Sequence, residues 1–252
     1  MTPLKAILLG LVQGFTEFLP ISSSGHLILF ERFGIGEVSL FFNVMLHVGT
    51  LLSVFIVFYK QIFGMILHPI KSDLRYILVA TVPTGIIAIL VKLYGKNLLN
   101  GDFLPICFML TACMLIFSNI YYINKNKSLS YKNSILTGVM QGIAVIPGIS
   151  RSGITISTLM MLGVDKTKAL DFSFLLSIPI IIASAVSELI PFNINVSVEL
   201  LPLMCGVCFS FLGGVISLTL LYKTIQKSSF VYFGTATLIR AINSVAENGF
   251  VR

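Results

Sequence analysis

The chain has 252 residues, of which 56% are hydrophobic and only 11% charged, and a mean hydropathy of +0.97. Soluble domains carry roughly 25% charged residues, so a soluble globular protein is excluded. The net charge of +7 comes from 17 Lys and Arg scattered through short loops, the distribution of cytoplasmic loops in a membrane protein and not of a nucleic-acid-binding surface.

Uncharged runs at 38–59, 103–124 and 200–222 are 22, 22 and 23 residues long, the length that crosses a hydrocarbon core of roughly 30 Å as a helix. A transmembrane β-barrel would show segments of about ten residues alternating in polarity, whereas these runs are apolar on every face. The pattern predicts an all-α polytopic membrane protein.

The chain opens with an apolar stretch, 4–19, that is interrupted by Glu17 and lacks a small-residue cleavage site, so it does not read as a cleaved signal peptide. It is too short to span and stops at Pro20 and a Ser/Gly-rich turn. A second such stretch, 134–146, stops at Pro147 in the same way. Shifting the sequence by 128 residues superimposes the two: Gly10, Gln13, Gly14, Ile21, Ser22, Ser24 and Gly25 meet Gly138, Gln141, Gly142, Ile149, Ser150, Ser152 and Gly153. The chain therefore reads as a duplication within one membrane domain, 1–127 and 128–252.

In each half the chain resumes as a second short helix, 25–33 or 153–162, which predicts a re-entrant hairpin. Non-helical backbone at membrane depth is tolerated only where protein or a wet cavity surrounds it, so two hairpins imply a central site. Three spans follow each hairpin, at 41–59, 76–94 and 103–123, then at 170–190, 200–222 and 229–246. An odd number of spans per repeat inverts the second half. The loop charges agree: Lys60, Lys71, Arg75, Lys125, Lys127, Lys132, Lys166, Lys168, Lys223 and Lys227 fall on one side, while Lys96 with Asp102 and Glu188 with Glu199 fall on the other. The reading is an inverted-topology repeat of two re-entrant hairpins plus six transmembrane helices, with both termini outside and loops near Asn195 external.

Gln13 and Glu17 share a helix face just before the Pro20 break, and a carboxylate at membrane depth is a functional candidate by default. Val145 replaces Glu17 in the second repeat. The turn Ser22–Ser23–Ser24–Gly25–His26 offers three hydroxyls, a flexible residue and an imidazole at a helix start. Its mate offers Ser150, Arg151, Ser152, Gly153 and Thr155. Helix N-termini and Gly-rich turns favour anions, and the Arg151 fork suits phosphate oxygens. The duller role of the serines is N-capping. His47 faces either the same cavity or a neighbouring backbone. Arg240 reads as structural, His68 as inert, Gly213–Gly214 as close helix packing, and Pro83 and Pro179 as mid-span kinks. Cys107, Cys113, Cys205 and Cys208 lie in apolar segments and read as packing residues.

The sequences Q-G-F-T-E-F-L-P-I-S-S-S-G-H, 13–26, and P-G-I-S-R-S-G-I-T, 147–155, together resemble the undecaprenyl-diphosphatase family of bacitracin-resistance proteins over essentially the whole chain. The resemblance implies a phosphatase of the bacterial plasma membrane that converts undecaprenyl diphosphate to undecaprenyl phosphate and phosphate. This recycles the lipid carrier for cell-wall synthesis, with an active site opening to the outer face. It matches Gln13 and Glu17 to the family's acidic motif, Ser22 and Ser23 to its paired serines, His26 to its histidine and Arg151 to its arginine, with catalytic roles expected for Glu17, Ser23, His26 and Arg151. The reading of the residues themselves adds Ser24, Gly25, His47, Ser150, Ser152, Gly153 and Thr155 to Gln13 and Ser22 as expected contacts to the diphosphate. The family is described as using Mg²⁺ or Ca²⁺, which makes Glu17 a metal candidate. Gln13, however, stands where many members have Glu, removing a paired-carboxylate site.

The chemistry expected from these residues is attack by Ser23 on the terminal phosphorus, with Glu17 or His26 as base, or direct attack by water. Arg151 and the turn N–H groups would stabilise charge on the phosphoryl oxygens. The other reading of an inverted repeat with broken helices is a polyprenyl-lipid flippase. Beyond the lipid substrate and membrane lipids no partner is implied, nucleic acid is not expected, and assembly into a homo-oligomer is left open.

Overall fold

The computed structural model describes all residues except 33–38, 123–126, 190–198, 228–229 and 251–252. Among the described residues the chain is helical: α1 Pro3–Phe18, α2 Ser23–Arg32, α3 Leu40–Val57, α4 Tyr59–Leu67, α5 Leu74–Tyr94, α6 Lys96–Leu99, α7 Leu104–Ile120, α8 Tyr131–Ile143, α9 Arg151–Met161, α10 Lys166–Leu189, α11 Leu200–Lys227 and α12 Val231–Phe250. The expected ends at Phe33, Ile123, Ile190 and Ser229, together with Lys125 and Asn195, lie outside the described residues.

Both short helices break where the sequence places proline and hydroxyls. Thr2 caps α1, its hydroxyl accepting the Lys5 N–H at 3.4 Å, and Pro3 fills a first-turn position that needs no N–H. The helix stops as Leu19 turns extended, the conformation favoured ahead of Pro20. Ser22 then takes a left-handed φ of 68°, and α2 starts at Ser23. In the second half α8 ends at Ile143, three residues before the expected 146, and the chain continues in tighter turns: Val145 N–H to the Gly142 carbonyl, 3.3 Å, and Ile146 N–H to the Ile143 carbonyl, 3.2 Å. Ile146 precedes Pro147 and cannot remain α-helical comfortably. Gly148 supplies a φ of +92°, and the Ser150 hydroxyl caps α9 by accepting the Gly153 N–H at 3.1 Å. Because these hydroxyls cap the second helices from outside, α2 and α9 begin two residues earlier than expected.

Among the described residues four helical stretches are long and apolar enough to cross a membrane: Leu40–Val57, Leu74–Tyr94, Lys166–Val186 and Leu200–Thr224. Helix α7 is apolar but has 17 residues, and α12 has 20 and carries Arg240. The first span ends at Val57, and a separate helix, α4, follows a one-residue break at Phe58. Large side chains such as Leu78, Val82, Ile86, Ile89 and Leu93 along α5 are exposed, an apolar outer surface of the kind that meets lipid in a membrane protein.

Helix pairing crosses the midpoint of the chain. Helix α1 packs along α11 and α8 along α5, α3 meets α10, α7 meets α12, and the short helices α8 and α9 pack on each other as α1 and α2 do. Small residues permit the closest of these approaches. Gly14 lies against the α11 backbone, where a Cβ would sit 2.5 Å from the Ser210 carbonyl oxygen, and the Ser217 hydroxyl donates to the Gly14 carbonyl at 2.9 Å. Gly213 and Gly214 are at this contact, as their pairing in the sequence suggests. On the other side the Thr84 hydroxyl donates to the Gly138 carbonyl at 2.8 Å.

The ends of α2 and α9 lie near opposite ends of α7. Arg32 at the end of α2 donates to the Gly101 carbonyl at 3.1 Å, just before α7 begins. Beyond α9, the Gly163 carbonyl accepts the Lys127 N–H at 3.2 Å, and the Lys166 ammonium lies 5.1 Å from the Tyr122 ring, both past the other end of α7.

The tight α1–α11 contact gives a direct expectation. Gly14→Val forces a side chain into backbone and should lower stability by about 1–3 kcal/mol, read as a fall in thermal midpoint in detergent. Gly64→Ala, where a Cβ meets nothing within 4 Å, should be neutral or slightly stabilising. Equal midpoints for the two variants would mean that α1 is not seated on α11 this closely.

Candidate active site

Helix α1 delivers Gln13 and Glu17 on one face of its last turns, four residues apart, and both side chains are buried. The Glu17 carboxylate is the convergence point of four elements. Its Oε2 accepts from Ser23 Oγ at the start of α2, 2.6 Å, and from Gln13 Nε2 within α1, 2.9 Å. His47 Nδ1 of α3 stands 3.5 Å from the same oxygen and 2.9 Å from Gln13 Nε2. The other oxygen, Oε1, accepts from Arg151 Nη2 at the first residue of α9. The Glu17 side chain is 3% exposed and that of Arg151 19%, so the charge is neutralised locally rather than by water. Removing one partner of such a pair leaves an uncompensated charge at large cost.

The two serine turns support this centre in different ways. The Ser22 hydroxyl accepts the Gly25 N–H at 3.4 Å and lies 3.4 Å from the Ser24 hydroxyl, while the Ser22 carbonyl accepts from His26 Nδ1 at 2.7 Å. The His26 ring stands edge-on to Phe108 with centroids 5.7 Å apart, and the Arg240 cation is within electrostatic range of it. His26 is thus held by its own turn, and no hydrogen bond joins it to Ser23 or Glu17 among the described residues. In the second turn the Ser150 N–H donates to Thr111 Oγ1 at 3.0 Å, whose hydroxyl lies 3.2 Å from the Gly148 carbonyl it donates to. Ser150 and Ser152 hydroxyls are 3.3 Å apart, and Ser152 Oγ reaches across to the Leu19 carbonyl at 3.4 Å. The turns also touch through backbone, since a Cβ on Gly25 would lie 3.1 Å from Gly148 Cα.

The register of the duplication places Ser23 opposite Arg151, and the structure brings both onto Glu17. Gln13 and His47 join them. The Ser22, Ser24 and Ser150 hydroxyls face partners in their own turns, Ser152 also reaches the Leu19 carbonyl of the other turn, and Gly153 sits against Ser150 and Pro20. Thr155 is turned away, its hydroxyl donating to the Arg151 carbonyl at 2.8 Å and lying 2.6 Å from Ser173 Oγ. Gln141, the mate of Gln13, is also remote from the carboxylate and donates to Thr84 Oγ1 at 3.3 Å. The sequence reading overlooked Thr111, Phe108 and Ser173. For Thr111 a weak signal exists, a hydroxyl residue in an otherwise apolar span. Phe108 and Ser173 carry none.

A hard divalent cation takes several oxygen ligands, usually including carboxylates. As arranged, these residues do not fit one. Glu17 is the single carboxylate, with an arginine on one oxygen and a hydroxyl and an amide N–H on the other. No group of three or more His, Cys, Asp and Glu suited to a metal occurs among the described residues.

Residues 6–243 match the family model described as bacitracin resistance protein BacA. The chain is also similar to proteins named undecaprenyl-diphosphatase. That of Treponema denticola is 40% identical, over 92% of this chain and 93% of the relative. That of Caldicellulosiruptor bescii is 40% identical over 92% of each, and that of Methanosphaera stadtmanae 37% identical over 92% and 94%.

The buried pair predicts a stability signature. Glu17→Gln strands the Arg151 cation and should cost about 3–5 kcal/mol, lowering the thermal midpoint. Adding Arg151→Met should recover much of that loss. A Glu17→Gln protein as stable as the parent would show that water, and not Glu17, neutralises Arg151.

Proposed function

The chain belongs to the bacitracin resistance protein BacA family, and on that premise we propose that it is an integral membrane undecaprenyl-diphosphatase. It removes the terminal phosphate of undecaprenyl diphosphate to give undecaprenyl phosphate and inorganic phosphate. The returned carrier lipid serves cell-wall synthesis, and its faster return confers resistance to bacitracin. One observation carries the mechanism: Glu17 holds the Ser23 hydroxyl at 2.6 Å on one oxygen and Arg151 on the other.

Ser23 Oγ attacks the terminal phosphorus, its proton passes to Glu17 Oε2, and the bond from phosphorus to the bridging oxygen breaks. Undecaprenyl phosphate leaves, itself a stabilised anion that needs no strong acid. Water then attacks the phosphoserine and keeps its protons on the phosphate that forms, while the departing Ser23 oxygen takes its own proton back from Glu17 and so restores the carboxylate. Arg151 moves from Glu17 to the non-bridging oxygens, joined by the N–H groups that open α2 and α9, and so stabilises the charge that dominates phosphoryl transfer. The base in this reading is Glu17, because it accepts the Ser23 hydroxyl, whereas His26 Nδ1 is committed to the Ser22 carbonyl. His26 orients that turn and faces the substrate with its other nitrogen. Gln13, His47, Ser22, Ser24, Gly25, Ser150, Ser152 and Gly153 shape the phosphate site, and Thr155 acts through the backbone of Arg151. A flippase has no need of a serine hydroxyl held on a carboxylate.

The fold in this reading is an inverted repeat, 1–127 and 128–252, with two re-entrant hairpins and six spans, the shorter α7 and the Arg240-bearing α12 included. The crossed pairing of α1 with α11 and α8 with α5, and the ends of α2 and α9 near opposite ends of α7, support it. Lys71, Lys127 and Lys132 face the cytoplasm of a bacterial plasma membrane, and the site opens to the outer face. Since the residues around Glu17 do not fit a divalent cation, this reading routes no step through Mg²⁺ or Ca²⁺.

Loss of a positioned nucleophile costs several orders of magnitude, and loss of a cap hydroxyl only about 1 kcal/mol of stability. Ser23→Ala should therefore fold, bind the lipid diphosphate and release almost no phosphate, while Ser24→Ala stays substantially active. Turnover is compared at matched folded amounts, and acid-quenched parent protein is searched by mass spectrometry for phosphate on the 22–24 peptide. Substantial turnover by Ser23→Ala would eliminate the covalent step and leave attack by water activated at Glu17.

A further inference from the structure

We propose that Gln13 is the positioning residue that frees this chain from a protein-held divalent cation: its amide, flanked by His47, occupies the flank of Glu17 where a second carboxylate would otherwise recruit one. The orientation of that amide is fixed by Glu17. A carboxylate can only accept, so the Gln13 group facing Glu17 Oε2 at 2.9 Å is the nitrogen. The same nitrogen lies 2.9 Å from His47 Nδ1, which packs against it from α3. Gln13 is fully buried, and its Oε1 has no hydrogen-bond partner. Turning the amide over would give Oε1 a cation to bind only by setting it against the Glu17 carboxylate and discarding the N–H bond to it.

Charge points the same way. Glu17 and Arg151 cancel, Gln13 adds nothing and an imidazole never adds negative charge, so the cluster has no net negative charge. A divalent ion placed on Glu17 would meet the Arg151 guanidinium with no surplus negative charge to hold it. Glu at position 13 would put two carboxylates one turn apart in a buried site. Like charges there cannot both stay ionised cheaply, and a cation bridging them is the natural relief. The identity of this one residue decides whether the site is complete by itself or needs a metal.

The test uses full-length protein in nanodiscs, stripped with chelator, with Mn²⁺ as probe and bound ion counted by electron paramagnetic resonance without substrate. The parent should show no saturable site, and Gln13→Glu should bind one Mn²⁺ per chain. Adding Glu17→Gln should weaken that binding by about 10- to 100-fold or more, the scale seen when metal-site residues are disrupted. Saturable binding by the parent that Glu17→Gln abolishes would overturn the inference, whether or not Gln13→Glu folds well. So would a folded Gln13→Glu protein without a site. The activity arm rests on the phosphatase reading: kcat of the parent should survive chelation, and kcat of Gln13→Glu should fall. If the parent releases no phosphate under any condition, that reading fails while the Mn²⁺ comparison still decides the cation question.

Discussion

A carboxylate inside a membrane protein must find its compensation among fixed neighbours, because no water or counterion follows it there without cost. Glu17 does so through Arg151, Ser23 and Gln13, drawn from the two halves of the chain. That requirement ties the folding problem to the chemical one. The two turns must meet for the charge to be tolerated, and once they meet a hydroxyl, a base and a guanidinium stand together. In the proposed mechanism the bonds that stabilise the unliganded site, Arg151 and Ser23 to Glu17, are those that an incoming phosphate would replace.

Holding the turns at that point falls to the packing of the short helices. Helix α1 is seated on α11 through Gly10, Gly14, Gly206 and Gly213–Gly214, and α8 on α5 through Gly138 against Ala80. Without a hydrophobic driving force between helices in lipid, such close backbone contact with hydroxyls donating across it supplies the attraction. Ser217 to Gly14, Ser210 to Leu46 and Thr84 to Gly138 are bonds of this kind. Beneath the site, Phe18, Phe58, Phe172 and Phe174 form a buried aromatic layer, with Phe18 and Phe174 edge to face at 5.5 Å.

Much of this was legible in the sequence, and the reasons are particular. Pro20 and Pro147 announce the breaks because proline restrains the residue before it, and hydroxyls follow both. The 128-residue register even pairs Ser23 with Arg151. Less legible were contacts made by single side chains between elements remote in the chain. Nothing in the spacing says that His47 turns onto Gln13, that Thr111 holds the second turn, or that Thr155 faces Ser173 instead of the site. The end of α8 at Ile143 escaped because hydropathy continues to Ile146 and only backbone hydrogen bonding marks the break, and α4 escaped because Lys60 and Gln61 at its start close the apolar run. The role of Gln13 was visible only as a departure from the family pattern. Its physical meaning depends on which way the amide faces, which is a property of the fold.

The central claim is that the Ser23 and Arg151 turns act as one unit through Glu17, and a double-mutant cycle on phosphate release tests it most directly. Ser23→Ala, Arg151→Lys and the double variant are compared with the parent at equal folded amounts. Residues that act as a unit are strongly non-additive, so the double variant should be scarcely worse than the worse single one. Losses that simply multiply, as for independent sites, would contradict the account and separate the two turns into unrelated functions.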